Sequence, residues 1–453
     1  MIKTIFNAWK IKDIRTKMLY TLILIVVYRL GSFIPVPGVD AAALGKMVSQ
    51  YDFLSFLDLF SGGSLSQFSI FAMGISPYIT GSIIMQLLSI AIPALEKLSK
   101  EDDGRKKIEK ITRYVGVGLA LIQSVSIVVG LNSMSGNLLK SISWFGTSGF
   151  GTFMNGFMPY ITVGFTCTAG TAFLMWMGER ITEKGIGNGV SMLIFASIVS
   201  SVPQVVINLI NGTFQIAPVV NSSGTALAFK WWYSIAVIVV VLILTMGVIM
   251  VDKAVRRIPV QYAKRVVGRK LYGGQSTHIP LKANANGVMP LIFAMTILQV
   301  PAMIGQFWPN GGFYKFVSIY LSARTNNVAG LAIYYVIYAL LIVGFAYFYS
   351  SITFNPIEIS KNLQQNGGFI PGIRPGRPTS EYLQKKCSRL TLFGALFLMV
   401  IAIVPTVLLK VLDITVLSAF GPTSILIMIS VSLEIAEQLD SLMLMRAYKG
   451  FLG

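Results

Sequence analysis

Charge is scarce in this chain of 453 residues: Asp, Glu, Lys and Arg together make up 12% of it, about half the usual share of a soluble protein. Acidic residues are scarcer still, 18 against 37 basic ones, for a formal charge of +19. Two cysteines exclude a disulfide framework; Cys167 sits in an apolar run and Cys387 in a basic stretch, so both are read as free thiols. His278 is the only histidine, which removes the usual partners of a metal site or a catalytic triad, and it is read as solvated or structural. Paired carboxylates and a nucleophile beside a base are also missing. No enzyme, no cofactor and no metal is expected.

What is abundant is hydrocarbon. Hydrophobic residues make up 54% of the chain, which places it in the membrane class. Apolar runs of spanning length fall near Met18–Ile34, Ile70–Pro93, Tyr114–Leu131, Phe153–Met177, Val190–Ile210, Trp231–Val251, Gly287–Phe307, Val328–Tyr349, Leu390–Leu409 and Leu417–Ile435. Ten spans put both termini on one side. Most of the Lys and Arg fall on that side; only Lys46, Lys140, Lys230, Lys315, Arg324 and Lys410 lie in the opposite connections, so both ends are expected to be cytoplasmic. The basic N-terminus lacks a small-residue cleavage site after its apolar run, so the first helix is expected to stay. Arg29, one turn before the outer end of that helix, is expected to snorkel to the interface.

Two long cytoplasmic loops, about 252–285 and 350–389, concentrate the basic charge. Arg256-Arg257 and Lys264-Arg265 suit an acidic partner, ribosomal RNA or anionic lipids, and the residues do not choose among these. The first loop has the Val, Ile and Tyr content of a two-stranded excursion. In the second, two Pro-Gly turns bracket Arg374 and hold it in a stiff, presented position. The shorter connection Glu96–Arg113 mixes both signs and reads as a solvated turn. Gly185-Ile-Gly-Asn-Gly189 has no strand before it and no Lys-Ser/Thr after it, so it is no phosphate loop; its glycines allow a close turn, with Asn188 as a cap.

The segment Asp58–Leu88 is built differently. Gly62-Gly63 breaks it, Gly62–Phe68 is polar and too short to cross, and a spanning piece follows. Irregular backbone at membrane depth must be buried in protein or line an aqueous cavity, so this segment predicts a cavity with a movable stopper in it. Few buried contacts are expected for the stopper, and its deletion is expected to leave folding nearly intact.

The stretch FSGGSLSQFSIFAMGISPYITGSIIMQLL (60–88) resembles the plug and following half-helix of the SecY family of protein-conducting channels. RITEKGIGNGVS (180–191), RRIPVQYAKR (256–265), QSTHIPLKANANGVMP (275–290), FNP with FIPGIRPG (354–376) and GPTSILI (421–427) resemble the same family in the same order. The resemblance covers essentially the whole chain. It implies an all-α integral membrane protein with ten transmembrane helices in two pseudo-symmetric five-helix halves, 1–210 and 211–453, around a central pore closed by a short plug helix at about 60–69. It implies a passive channel that translocates unfolded secretory polypeptides across the bacterial plasma membrane and releases membrane-protein segments laterally.

Site residues follow from the same resemblance. The plug is Gly62, Gly63, Ser64, Leu65, Ser66, Gln67 and Phe68. Ile75 and Ile79, four apart, share a helix face, as do Val190 and Ile194; with Ile292 and Ile427 at mid-span of the seventh and tenth runs, they match the positions of the family's hydrophobic pore ring. Val190 is smaller than isoleucine, which loosens the seal slightly. Gln86 and Gln123, ordinarily helix-packing residues, become lateral-gate contacts together with Thr296. Arg374, with Arg256, Arg257, Lys264 and Arg265, becomes the contact surface for cytosolic partners. The implied partners are the small membrane subunits SecE and SecG, the motor ATPase SecA, the ribosome, signal-sequence-bearing polypeptides and anionic lipids. A secondary transporter with inverted repeats is the rival reading. It wants ionisable residues at the midplane, and the second, fifth, seventh and tenth runs have none near their centres.

Overall fold

The computed structural model describes residues 2–37, 39, 54, 58, 61–101, 104–135, 149–214, 231–262, 265–267, 270–272, 276–284, 287–305, 308, 311–322, 325, 327–411 and 422–449. Most of these are helical. In chain order the helices are α1 (Ile2–Lys10), α2 (Lys12–Gly31), α3 (Ser76–Ala91), α4 (Pro93–Lys100), α5 (Gly104–Ser135), α6 (Gly149–Lys184), α7 (Gly189–Phe214) and α8 (Trp231–Asp252). Strands β1 (Val255–Tyr262), β2 (Arg265–Val267), β3 (Lys270–Tyr272) and β4 (Ser276–Lys282) follow. Then come α9 (Met289–Gly305), α10 (Gly312–Tyr320), α11 (Val328–Thr353), α12 (Pro356–Gln365), β5 (Gly368–Phe369), α13 (Arg377–Val411) and α14 (Pro422–Lys449).

Local chemistry sets many of the ends. Asn327 caps α11 by accepting from the Ala329 N–H at 3.1 Å, and Asn355 caps α12, where Pro356 occupies the first helical position and has no N–H to leave unpaired. Asn188 accepts from the Val190 N–H at 3.0 Å, the expected cap of α7. Among the described residues, four stretches are long and apolar enough to cross a membrane: Lys106–Gly130, Met158–Lys184, Val328–Gln365 and Arg377–Leu408. Ser76–Ala91 and Met289–Gly305 are shorter apolar helices, and Gly189–Pro203 and Ile238–Asp252 are apolar stretches within the longer α7 and α8.

The second run differs most from expectation. Instead of one span from Ile70 to Pro93, residues 62–75 are turns and α3 has 16 residues, about 24 Å of rise against a hydrocarbon core of about 30 Å. Glu96–Arg113 is no solvated turn; α4 and the start of α5 occupy most of it. The second basic loop ends at Gly376, because α13 already begins at Arg377; Cys387 lies within that helix and is half-buried, while Cys167 is buried, and both are free. The boundary at residue 210 falls inside α7.

The first basic loop forms more than a two-stranded excursion. β1 and β4 pair antiparallel from Val255↔Lys282 to Gln261↔Ser276, and β5 from the other basic loop adds to the free edge of β1 through Gln261↔Phe369 and Tyr262↔Gly368. The sheet order is β4-β1-β5, with β2 and β3 a separate hairpin. Ile258, Val260 and Leu281 pack on Leu363, Ile370 and Leu383, so the two loops share one small core. His278 is exposed on β4, opposite Pro259.

The main core runs through the apolar helices, with α3 against α5, α5 against α6, α9 against α11, α11 against α13 and α8 against α14. Where α6 turns into α7, a Cβ at Gly189 would collide with the Gly178 carbonyl. Gly189→Ala is expected to cost about 1–3 kcal/mol by overpacking, seen as a lower thermal midpoint of the purified protein in detergent. Gly247, with open space around its Cβ position, is the control; Gly247→Ala is expected to leave the midpoint unchanged or raise it.

Candidate functional site

The segment Gly62–Phe68 is a succession of hydrogen-bonded turns, and the expected short helix over these residues is not formed. Gly62 and Gly63 have φ of +67° and +83°, left-handed conformations that cost glycine least. Phe68 is also left-handed, at +44°, and strain of this kind persists only where surroundings impose it. The Phe68 carbonyl accepts from the Val36 N–H at 2.9 Å, and the Ile70 N–H donates to the Ile34 carbonyl at 3.0 Å, so the chain before α3 pairs briefly with the end of the first helix region. Asp58 organises the turn: its Oδ1 accepts from the Ser66 N–H at 2.8 Å, and its carbonyl accepts from the Gly63 N–H at 2.9 Å. Burial pushes the Asp58 carboxyl above its ordinary range, opposed by the hydrogen bonds from Ser66.

Two neighbours on α2 tether this segment. The Tyr28 hydroxyl donates to the Ser61 carbonyl at 2.9 Å and shares a 2.6 Å hydrogen bond with Ser197 Oγ on α7. Arg29 Nη1 donates to the Gly62 carbonyl at 3.0 Å, and Ser200 Oγ donates to the same oxygen at 3.4 Å. Arg29 therefore does not simply snorkel outward. Its guanidinium satisfies a buried carbonyl and lies 5.5 Å from the centre of the Phe33 ring. The signal in the sequence was an ionisable residue within an apolar run, which by default marks function.

The segment is also not lightly held. Leu65 and Phe68 are 0% and 2% exposed and belong to a cluster with Val36, Ile127, Val128, Val163 and Cys167. Deletion of Gly62–Phe68 would remove these contacts, so the expectation of few buried contacts is overturned. The polar residues that made the segment look loose point inward to backbone: Ser64 Oγ donates to the Ser61 carbonyl and Ser66 Oγ to that of Gly63.

Ile75, Ile194, Ile292 and Ile427 are buried in one large hydrophobic cluster, and Ile79 and Val190 are partly buried against it. All six thus belong to the main apolar cluster, which they enter from four helices and share with much of the rest of the core. Their positions along those helices differ from expectation: Ile75 is the N-cap of α3, Val190 and Ile292 lie in the first turns of α7 and α9, and Ile194 and Ile427 in the second turns of α7 and α14. None is at mid-helix, because each of these helices starts close to the cluster.

Gln123 of α5 and Thr296 of α9 line one cavity of about 30 Å³ with Ser76 and Thr80 of α3, room for about one water. Gln299, one turn after Thr296, lines it too and was not singled out in the sequence. Gln86 is not brought there; its Nε2 reaches Ser82 Oγ at 3.4 Å and its Oε1 is buried without a hydrogen-bond partner. On the three-stranded sheet Arg256 and Arg257 are exposed on β1. Arg374 is exposed between Gly372 and Gly376, both left-handed, and its carbonyl accepts from Thr379 Oγ1 at 2.8 Å. Arg265 opens β2, and Lys264 lies outside the described residues.

A family model described as SecY matches residues 69–436. The protein translocase subunit SecY of Halalkalibacterium halodurans is 41% identical over 454 residues, covering 100% of both chains. That of Streptomyces galbus is 43% identical over 466 residues, again covering 100% of both. Among solved structures, one described as "The structure of a protein conducting channel" is similar over 94% of this chain and 91% of its own, with a TM-score of 0.61 and 18% identity. A second, of a SecY protein whose plug domain is said to stabilise the closed state, gives 0.62 at 18% identity with the same coverage. Sec61 from a canine ribosome-channel complex gives 0.58 at 17% identity, also covering 94% and 91%.

The Tyr28 tether is open to test. With Cys167 and Cys387 replaced, a Leu65→Cys thiol reports exposure of the segment through its rate of maleimide labelling. Tyr28→Phe removes two hydrogen bonds, each contributing about 1 kcal/mol, and is expected to raise that rate about fivefold or more. An unchanged rate would show that the tether does not hold the segment closed.

Proposed function

Because this chain belongs to the SecY family, we propose how its residues divide the work of a protein-conducting channel subunit. It is a membrane protein and part of a protein translocase, and the transporter alternative falls away. In this reading ten helices cross the bacterial plasma membrane in two pseudo-symmetric halves, about 1–210 and 211–453, with both termini cytoplasmic. The asymmetry of Lys and Arg supports that orientation.

Ile75, Ile79, Val190, Ile194, Ile292 and Ile427 form the constriction. The observation that supports this is that all six, from four helices, belong to one apolar cluster that also contains Tyr28, the residue hydrogen-bonded to the buried turn and to α7. An aliphatic constriction resists ions by dewetting, while flexible side chains let an extended polypeptide slide without a site that traps it. Gly62–Phe68 acts as the plug, closed by Tyr28 and Arg29. The small polar cavity of Gln123, Thr296 and Gln299 supports a lateral gate between α3 and α5 on one side and α9 on the other; Gln86 stands apart from it. The channel does no chemistry, so energy comes from a partner on the basic cytoplasmic face: the motor SecA or the ribosome. SecE, SecG and anionic lipids complete the assembly, and signal-sequence-bearing polypeptides are the substrates. Sec61 and Ssh1, similar in fold, have been seen with ribosomes.

Ile427→Asn tests the constriction. In a dry, lipid-facing place an unpaired amide costs roughly 2–7 kcal/mol and lowers protein abundance. In the constriction water satisfies it, the dry seal is lost, and both ion leakage and export of substrates with defective signal sequences are expected to rise. Reduced abundance with unchanged signal stringency would remove Ile427 from the constriction. Arg374→Glu is expected to impair secretion severalfold with a normal amount of inserted protein, by reversing a charge that faces an acidic partner. Normal secretion by a stably inserted Arg374→Glu protein would exclude that role.

A further inference from the structure

We propose that Asp252 is a positioning residue, a clasp that makes the cytoplasmic sheet and the helix carrying Ile427 move as one body. The proposal deepens the channel reading and rests on it. Asp252 ends α8, just before β1. Its Oδ1 accepts from Asn284 Nδ2 at 2.9 Å, and its Oδ2 accepts from Ser430 Oγ at 2.8 Å. The two oxygens of one carboxylate thus hold two different pieces of the molecule.

Asn284 is the root of the sheet. The β1–β4 ladder opens at Val255↔Lys282 and is extended by the Ala283 N–H donating to the Ala254 carbonyl at 2.8 Å, which leaves Asn284, buried, as the next residue. From there Gly287, at φ +57°, turns the chain into α9, whose first turn holds Ile292. Ser430 lies on α14 one turn beyond Ile427. A second strut lands on the same helix, where Lys282 Nζ meets Glu437 Oε2 at 2.6 Å. Ser430 and Glu437 are two turns apart on one face, about 10 Å along the axis. Attachment at two such points removes the pivot that either would allow alone. Because Lys282 and Glu437 are both about half exposed, that strut is the weaker of the two and is screened by salt.

Force applied at Arg374 or Arg256 has a continuous route to these points. The shared core of Ile258, Val260, Leu281 and Leu363 joins the two basic loops, β4 runs from that core to Asn284, and the clasp passes displacement to α9 and α14. A carboxylate accepting two hydrogen bonds fits this role because it can be released by either arm.

The test uses inverted membrane vesicles containing the full chain, supplied with cytosol, ATP and a purified secretory precursor, with import scored by protease protection per inserted channel. Asn284→Ala and Ser430→Ala are each expected to lower import about fivefold, the scale of a single coupling contact. The double variant is expected to fall no further, since either single change opens the clasp. Asp252→Ala, which removes both acceptors, is expected to lose import in the same way, whereas Asp252→Asn keeps it, because its Oδ1 still accepts from Asn284 and its Nδ2 donates to Ser430 Oγ. Ion leakage and the thermal midpoint are expected to stay at parental values. Strictly multiplicative losses, parental import by Asp252→Ala, or reduced protein amount with unchanged import per channel would each overturn the clasp. Parental vesicles that import nothing would overturn the channel reading itself, and the clasp with it.

Discussion

Hydrocarbon offers no hydrogen bonds, and the stretch from Gly62 to Ile75 is turn after turn of backbone that needs them. That mismatch organises the surrounding structure. α2 supplies the Tyr28 hydroxyl and the Arg29 guanidinium, α7 supplies Ser197 and Ser200, and the segment's own serines close its turns. α3 can then be a short helix because protein, and not lipid, surrounds the chain before it. A cationic residue placed in an apolar run would be costly if it faced lipid; here it is matched to a carbonyl that would otherwise be a liability of its own.

In the proposed reading of this segment as a plug, the same balance bears on opening. The closed arrangement rests on a few buried hydrogen bonds, each contributing about 1 kcal/mol, together with the apolar burial of Leu65 and Phe68. A total of several kcal/mol keeps a resting seal and still lies within reach of a partner's binding energy. A heavily charged tether would bind more tightly but would leave larger unpaired charges behind when released. Small polar groups, of which Ser61, Ser64 and Ser66 are examples, leave little penalty once water enters.

Much of this was legible in the chain. Long apolar runs and the Pro-Gly turns around Arg374 are local signals, and each reports a local requirement. The break at Gly62-Gly63 marked irregular backbone correctly, yet its polar serines read as solvated when they are turned onto neighbouring carbonyls. Nothing local announces that β5, two residues long, will join the edge of β1, since that pairing is set by the fold of both loops together. Arg29 was read as snorkelling and Asp252 was not singled out for the same reason: their partners lie far off in the sequence, at Gly62, Asn284 and Ser430. The six aliphatic residues could be named by resemblance, but the starts of their helices, which decide how they converge, depend on where turns end.

The pairing of β5 with β1 also alters how the two basic loops hold on to anything. Arg256 and Arg257 on one loop and Arg374 on the other ride on a single sheet, instead of on two independent tethers. A partner that releases one cluster is kept near the other at a distance the sheet dictates, so rebinding outpaces escape and individually feeble contacts act with avidity. Residence then depends on the spacing of charges on the partner as much as on their number, and an acidic surface of the wrong pitch gains only one handhold.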